Sequence, residues 1–222
     1  MLVSAISLDF WGTIARPNPL YSAARTEYFS ELFGVEPEVA HAKYIQVKRH
    51  ADTAAENFGV AYHPLAQIRM LMNERLTRRV DATDVFHDIM SIVAKNPPIV
   101  EESMYSALRR TSTIFVIGIT SNTNFIPGRM LDVLIPDYFA KSSWSDQVGM
   151  CKPSSEIFNE TRRSMALRKG LTLYPQDIIH IGDNYKCDYL GATRYGFQGC
   201  KVSDPADTEK KLITLINNGE IE

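Results

Sequence analysis

Cysteine is scarce in this chain: Cys151, Cys187 and Cys200 are the three among 222 residues, and no two of them have CxxC spacing. Such a set gives no basis for a disulfide framework or a zinc knuckle. Neither sign of charge dominates, since 24 Lys and Arg against 26 Asp and Glu give a formal net charge of -2. Without a basic surface for nucleic acid or an acidic tail, the expected partner is a small molecule.

Long apolar runs are missing as well. No stretch reaches the roughly 18 uninterrupted apolar residues that indicate a membrane-spanning helix. The N-terminus, MLVSAISLDF, is a short apolar run that lacks a basic region and a small-residue cleavage site. We therefore expect a cytoplasmic protein with no membrane partner.

Short apolar runs and helical patterns alternate along much of the chain. Residues 2–8, 113–120 and 177–181 are rich in β-branched or other apolar residues, and a last strand is expected near 199–202. Helical periodicity fills the segments between the later strands. Strands that alternate with helices predict an α/β fold, a three-layer Rossmann-like core with a parallel sheet between helices.

The stretch from about residue 20 to 96 has a different pattern. Apolar residues recur there at intervals of three and four, and glycine and proline residues separate the helical segments. No strand pattern occurs in it. The sequence thus predicts an all-helical insertion, with residues 16–96 as one domain and residues 1–15 and 97–222 as the Rossmann-like core.

Polar residues follow three of the predicted strands: Asp9, the pair Ser121-Asn122 and the pair Gly182-Asp183. Any one of them could be an ordinary turn or helix-capping residue. In an open parallel sheet, however, ligands bind at the carboxyl ends of the strands. The three positions together predict a functional site at that edge.

The order of these motifs is more specific than any single one. In chain order they are Asp9 with Gly12-Thr13, Ser121-Asn122, Lys152-Pro153, and Gly182-Asp183 with Asp188 five residues later. This order resembles the four motifs of the haloacid-dehalogenase (HAD) superfamily of hydrolases, over residues 3 to about 203. The helical insertion lies where that superfamily has its small helical cap.

The resemblance implies a role for each of the catalytic residues. Asp9 would be the nucleophile, Lys152 would hold it and the phosphoryl oxygens of the substrate, and Ser121 would hydrogen-bond one of those oxygens. A carboxylate is a weak nucleophile in water, so a neighbouring cation and a desolvated site are what its chemistry requires. Trp11, Asn122 and Thr13 are candidates for contacting the substrate, which is expected to be a small anionic molecule.

The same resemblance implies a metal site. Asp9, the main-chain carbonyl of Trp11, Asp183 and Asp188 would supply only oxygen ligands, Asp188 either directly or in support. Such a set suits Mg²⁺, which prefers hard oxygen donors. The implied cofactor is therefore Mg²⁺, which shields the nucleophile from the charge of a phosphate.

Trp11 departs from the pattern of the phosphatases in this superfamily. They carry a second aspartate two residues after the nucleophile, which protonates the leaving group and then activates water. Tryptophan cannot transfer that proton, and such a group contributes roughly 10²–10⁴ in rate. Phosphomonoester hydrolysis is therefore expected to be slow unless another group acts.

Three functions are compatible with these residues. The favoured one is Mg²⁺-dependent hydrolysis of a small phosphorylated metabolite. The second is a metal-free 2-haloacid dehalogenase, because the fragment DFWGT is similar to the nucleophile loop of those enzymes. The third is an HAD-fold protein that binds a ligand without turnover.

Asp183 distinguishes the first two of these functions. Dehalogenases typically have serine at its position, since a carboxylate without a metal would repel an anionic substrate. A dehalogenase also needs an arginine for the substrate carboxylate, and Arg16, Arg25 and Arg49 are all available. The run of residues 48–50 could hold an anion too, although such a run is usually a solvated helix face.

Overall fold

The structure, a computed structural model, describes residues 3–73, 80–170 and 172–218. Within them, five strands form a single sheet in the order β3-β2-β1-β4-β5, and every neighbouring pair is parallel. The strands are β1 (Ala5–Leu8), β2 (Val116–Ser121), β3 (Ser143–Trp144), β4 (Ile178–Gly182) and β5 (Gln198–Lys201). The predicted α/β fold class with a parallel sheet is confirmed.

Helices connect the strands. They are α1 (Pro19–Phe33), α2 (Pro37–Phe58), α3 (Pro64–Leu71), α4 (Ala82–Lys95), α5 (Glu102–Ser112), α6 (Gly128–Leu131), α7 (Ser145–Val148), α8 (Ser155–Lys169), α9 (Gly191–Tyr195) and α10 (Pro205–Asn218). In the described part of the chain, no helix is both long and apolar enough to cross a membrane.

Helices α1 to α4 lie between β1 and α5, in the segment that the sequence predicts to be helical. Proline occupies the first turn of α1, α2 and α3, where its missing N–H costs nothing and its φ suits a helix. Residues 74–79 of this predicted helical stretch lie outside the described residues. So do residues 1–2 and 219–222 and residue 171, which the sequence assigns to the core.

Several predicted boundaries shift by a few residues. Strand β2 begins at Val116 rather than at residue 113, because Ile114 and Phe115 donate backbone hydrogen bonds to Thr111 and complete the end of α5. After β4, a π-helical turn over Tyr185–Leu190 precedes α9. Its start is capped by the Asn184 side chain, which accepts hydrogen bonds from two following backbone N–H groups.

The sheet is covered on both faces. Along β1, Ile6 and Leu8 point to a large apolar cluster that includes residues of α5 and α10, whereas Ala5 points to a smaller cluster with residues of α8 and α9. This alternation is that of a buried strand. The large cluster also takes in residues of α1, α2 and α4, so the helical segment packs on the sheet and its helices through a continuous apolar core.

Candidate active site

The carboxyl ends of the three central strands bring the predicted site residues together. Leu8 is in register with Ile119 of β2 and with Ile181 of β4, so the residues that follow each of them lie at one edge. The backbone N–H of Asp9 donates to the carbonyl of Ile181 over 2.9 Å. Asp9 is therefore fixed between β2 and β4 by the sheet itself.

The Asp9 carboxylate is held by one of its two oxygens. Ser121 donates its hydroxyl to Asp9 Oδ1 over 2.6 Å, and Lys152 Nζ lies 2.7 Å from the same oxygen. Among the described residues, Asp9 Oδ2 has no hydrogen-bond partner. Burial raises the pKa of Asp9, while the neighbouring Lys152 opposes that rise. The residue thus presents one oriented oxygen that is available for reaction.

Lys152 is a fully buried cation with two anionic partners. Its ammonium lies 2.7 Å from Asp9 Oδ1 and donates to Asp188 Oδ1 over 2.6 Å. Burial alone would lower the pKa of Lys152, but Asp188 and Asp9 raise it above its ordinary value. The side chain therefore stays charged. Asn122 fixes its backbone, accepting from the Lys152 N–H over 2.7 Å and donating to its carbonyl over 3.0 Å.

Asp188 connects Lys152 to a polar network beneath the sheet edge. Its Oδ1 accepts from His180 Nε2 over 3.0 Å, and its Oδ2 accepts from the backbone N–H of Asn184 over 2.8 Å. Burial alone would raise the pKa of Asp188, but Lys152 and His180 hold it well below its usual range. Asp188 is thus an anion that orients Lys152.

Sequence reasoning missed His180 and Ser7. His180 is buried in β4, and burial lowers its pKa, so the ring is neutral. Since a carboxylate only accepts, Nε2 carries the proton, and Nδ1 accepts from the Ser7 hydroxyl over 2.8 Å. A histidine within the otherwise apolar run DIIHI was the available signal, because a buried polar side chain requires partners.

Two glycines allow the carboxylates of Asp183 and Asp188 to pack closely against the backbone. A Cβ on Gly12, whose φ is +70°, would lie 2.6 Å from Asp183 Oδ2, and a Cβ on Gly182 would lie 2.3 Å from Asp188 Cγ. No larger residue fits at either position without moving an acidic side chain. Burial, followed by the charges of Asp9 and Asp188, raises the pKa of Asp183 to about 6.

These acidic residues form an oxygen-donor cluster. One carboxylate oxygen each from Asp9, Asp183 and Asp188 lies within 4.8 Å of the others. Hard oxygen ligands with several negative charges fit Mg²⁺, and the absence of a side chain at Gly12 and Gly182 leaves room for the carboxylates of Asp183 and Asp188. The donor set therefore fits the cofactor that the sequence predicts. That the main-chain carbonyl of Trp11 is also a metal ligand stays a prediction.

A cavity of about 590 Å³ lies above this cluster. Asp9, Trp11, Lys152, Asp183 and Asp188 line it from the sheet side, together with Asn122. Residues of α1 and α2 line it too. Its size and mixed polar and apolar walls suit a small molecule.

Two predicted site residues lie behind the cavity wall rather than on it. Ser121 and Thr13 are both fully buried, and neither lines the cavity. Ser121 orients Asp9, and the Thr13 hydroxyl has no hydrogen-bond partner in the described residues. Their predicted contacts with the substrate stay predictions, as does that of Asn122, whose amide is engaged with Lys152.

Replacing Lys152 by methionine is expected to destabilise the fold strongly. The change leaves Asp9 and Asp188 buried without their cation, and removing one partner of a buried ion pair costs about 3–5 kcal/mol. Urea unfolding monitored by circular dichroism measures the loss. Lys186→Met is the control, because Lys186 is partly exposed, donates to Asn57 Oδ1 over 2.8 Å and makes only a long 3.9 Å ion pair with Glu56. Its replacement should cost less than about 1 kcal/mol. Equal losses for the two variants would contradict this description of the cluster.

Comparison with known proteins gives no matching family model and no matching curated relative. Solved structures do match. The Bacillus subtilis protein YfnB, solved with bound magnesium, is 15% identical at a TM-score of 0.66, covering 91% of this chain and 89% of its own. A 2-haloacid dehalogenase from Pseudomonas syringae is 16% identical at 0.62, covering 88% and 84%. A HAD family enzyme from Bacteroides thetaiotaomicron, in complex with magnesium and inorganic phosphate, is 14% identical at 0.59, covering 90% and 93%.

Proposed function

We propose that this chain, which has the fold of the haloacid-dehalogenase superfamily, is a hydrolase that uses Asp9 as its nucleophile. The proposed reaction is the Mg²⁺-dependent hydrolysis of a small phosphorylated metabolite. The observation that carries the proposal is the cluster of Asp9, Asp183 and Asp188 beside the buried cation Lys152.

Charge balance favours a metal at this site. With all three carboxylates ionised, the cluster carries two more negative charges than Lys152 neutralises. A phosphate would be repelled by that excess, and so would the carboxylate of a haloacid. Asp9, Asp183 and Asp188 would hold Mg²⁺, which would supply the missing positive charge and polarise a phosphoryl oxygen.

Each residue of the site has its own role in the proposed reaction. Asp9 Oδ2 attacks phosphorus, and the bond from phosphorus to the leaving-group oxygen breaks as the aspartyl-phosphate forms. Ser121 and Lys152 hold Asp9 Oδ1, and Lys152 offsets the charge that develops on the phosphoryl oxygens. Water then attacks phosphorus, the bond between phosphorus and Asp9 Oδ2 breaks, and the protons of the water leave with inorganic phosphate or pass to solvent, which restores the Asp9 carboxylate.

Trp11 supplies no proton in either step. It lies half-buried beside Asp9 on the cavity wall, with its ring edge-on to Phe10 at 5.1 Å between centroids. The leaving group must therefore depart without protonation by this position, which favours acyl phosphates and esters of acidic alcohols over simple alkyl phosphates.

The helical segment, residues 16–96, serves as a cap over Asp9 in this proposal. The shared cavity supports the assignment, as does the stacking of Tyr44 on Phe125 at 4.3 Å between ring centroids. Asn124 also donates to Asp52 of α2 over 3.0 Å. Opening of these contacts would admit substrate, and their closure would exclude water from the nucleophile.

A second candidate is a 2-haloacid dehalogenase. Solved structures named as such enzymes share this fold. Trp11 is also an aromatic residue of the fragment DFWGT, which resembles their nucleophile loop. Asp183 weighs against it for the reason of charge given above. The third candidate is ligand binding without turnover. It gives no functional reason for burying the charges of Asp9, Lys152 and Asp188, which is costly.

A substrate panel tests these candidates together. Acyl phosphates, phosphate esters, phosphonates and 2-haloacids are assayed with Mg²⁺ and after chelation. The proposed function predicts phosphate release that chelation abolishes. Halide release that survives chelation would establish the dehalogenase instead, and ligand binding without any turnover would favour the third candidate.

Replacing Asp183 by asparagine is expected to stabilise the metal-free protein at pH 7. The pKa of Asp183 is raised to about 6. Above that pH the ionised side chain destabilises the folded state relative to the unfolded chain, and below the ordinary pKa range of an aspartate this destabilisation is absent. Because the side chain is only partly buried, solvent reduces the gain to roughly 1 kcal/mol. That corresponds to about 2–4 °C in thermal unfolding midpoint for a protein of this size.

Adding Mg²⁺ should reverse the order of the two proteins. The wild type binds the ion and gains stability by mass action, whereas Asp183→Asn gains little. Asp137→Asn, which changes an exposed carboxylate elsewhere, is the control and should respond to Mg²⁺ as the wild type does. An equal response to Mg²⁺ in all three proteins would contradict the assignment of Asp183 to the metal site.

A further inference from the structure

One residue of the cavity wall carries a buried charge without a counter-ion. Arg25 of α1 is 4% exposed, and its Nε–H has no hydrogen-bond partner among the residues that the structure describes. Its Nη2 donates to Ser22 Oγ over 3.1 Å and lies 3.3 Å from His41 Nδ1. Within the described parts of the chain, no carboxylate forms an ion pair with Arg25. The guanidinium thus has no carboxylate partner among these contacts and keeps spare donors.

Packing accounts for only part of this arrangement. The Arg25 guanidinium carbon lies 3.7 Å from the ring centroid of Tyr44 and 5.4 Å from that of Tyr21. Contact with aromatic faces stabilises a cation. It does not satisfy the N–H groups at the edge of the guanidinium, and a buried unpaired donor is costly. A purely structural residue at this position has no need of such a group.

Tyr21 brings a second unpaired group to the same wall. It is 7% exposed, and its hydroxyl forms no hydrogen bond of standard geometry with any described residue, although Tyr44 and Arg25 lie close enough to interact with it. Burial, with Tyr44 nearby, raises the pKa of Tyr21 well above its ordinary value, so the hydroxyl stays a donor. Tyr21 and Arg25 are four residues apart on α1 and share one face of the helix. Both line the cavity that contains Asp9.

We propose that Arg25 and Tyr21 bind a carboxylate at the end of the substrate remote from the reacting group. This inference rests on the proposed function for the reacting end, and it identifies the substrate as a phosphorylated carboxylic acid. The planar guanidinium and a neighbouring hydroxyl match a planar, singly charged anion. A second phosphate would require more positive charge, and Lys48, also on the wall, is paired with Asp52 at 2.7 Å.

The first test compares substrates that differ only in the carboxylate. Phosphoglycolate and its homologues with one and two further methylene groups are matched with alkyl phosphates of the same chain length, at saturating Mg²⁺. The wild type should prefer the carboxylate of at least one length in kcat/KM. Arg25→Gln should remove that preference, a loss of about 10- to 100-fold, while the rates for alkyl phosphates stay unchanged.

Three further variants make the comparison specific. Arg25→Lys keeps the charge and the packing stem but not the planar fork, and it should retain only part of the preference. Tyr21→Phe removes one hydroxyl and should cost about 3- to 10-fold for carboxylates alone. Arg49→Gln, an exposed arginine on α2, is the control and should behave as the wild type. Thermal unfolding of each variant verifies that it is folded.

Binding measured without turnover separates this inference from the proposed function. In Asp9→Asn protein with Mg²⁺, calorimetric titration with the preferred carboxylate should show an affinity 10- to 100-fold higher than after a further Arg25→Gln change. Arg25-dependent binding with no turnover by the wild type would overturn the proposed hydrolysis but support the carboxylate site. Turnover of both substrate series that neither Arg25 variant alters would overturn the carboxylate site and leave the hydrolase in place.

Discussion

Replacing Asp9 by asparagine is expected to lower kcat for every substrate of this protein by about 10⁴-fold or more, as removal of a covalent nucleophile does. Asparagine has nearly the same shape, and its carbonyl oxygen can accept from Ser121 and Lys152 as Asp9 Oδ1 does. What disappears is the anionic oxygen that attacks. Steady-state assays of phosphate release, with thermal unfolding as a check on the fold, measure the effect.

The control for this prediction is the variant Asp52→Asn. Asp52 of α2 also lines the cavity, but it is engaged with Lys48 of the same helix and with Asn124, which follows β2. Its replacement should change KM more than kcat, because it lies away from the proposed reacting group. Should Asp9→Asn retain more than about a hundredth of the wild-type rate, another group performs the attack and the central assignment is wrong.

Replacing Trp11 by aspartate should raise the hydrolysis of alkyl phosphates by about 10²–10⁴-fold. The change introduces a carboxyl group two residues after the nucleophile, on the cavity wall, where it can protonate the leaving alcohol and then accept a proton from water. Aryl phosphates should gain much less, because their leaving groups depart without protonation. The pH profile for alkyl phosphates should acquire an additional ionisation.

Trp11→Asn is the matched variant for this experiment. It removes the same indole contact with Phe10 and opens the same space, but asparagine cannot transfer a proton. The ratio of the aspartate to the asparagine variant therefore isolates proton transfer from any effect of cavity size or stability. Equal rates for the two would mean that proton transfer at this position does not limit turnover.

Much of the candidate site could be predicted from sequence because it depends on short-range patterns. Asp9, Ser121 and Asp183 each end an apolar run, and a parallel sheet places such ends at one edge. The approach of Asp183 to Gly12 follows from the left-handed backbone of that glycine. The roles of Lys152 and Asp188 came from resemblance, and their mutual 2.6 Å contact required the structure.

The arginines illustrate what could not be predicted. Sequence left Arg16, Arg25 and Arg49 equivalent, since each follows the first strand and any could face the substrate. In the structure Arg16 pairs with Glu101, Arg49 is exposed, and only Arg25 of these three lines the cavity. The difference depends on how α1 and α2 pack against the sheet domain, which is a tertiary property.

The residues of the run 48–50 differ in their surroundings for the same reason. Lys48 lines the cavity, whereas His50 lies 3.5 Å from the Tyr62 hydroxyl and lines no part of it. Successive residues on a helix point about 100° apart, so a cluster in sequence is not a cluster in space. The prediction that such a run is largely a solvated helix face agrees with the exposure of Arg49 and His50.

Covalent labelling of Asp9 tests the central claim most directly. Wild-type protein with Mg²⁺ and a rapidly reacting acyl phosphate is quenched in acid during turnover, digested and analysed by mass spectrometry. We predict that the peptide containing Asp9 gains the mass of one phosphoryl group, that fragmentation assigns it to Asp9, and that chelation or Asp9→Asn abolishes it. Turnover at the same rate with Asp9 unmodified, or oxygen from labelled water entering the Asp9 carboxylate as a halide is released, would contradict the account.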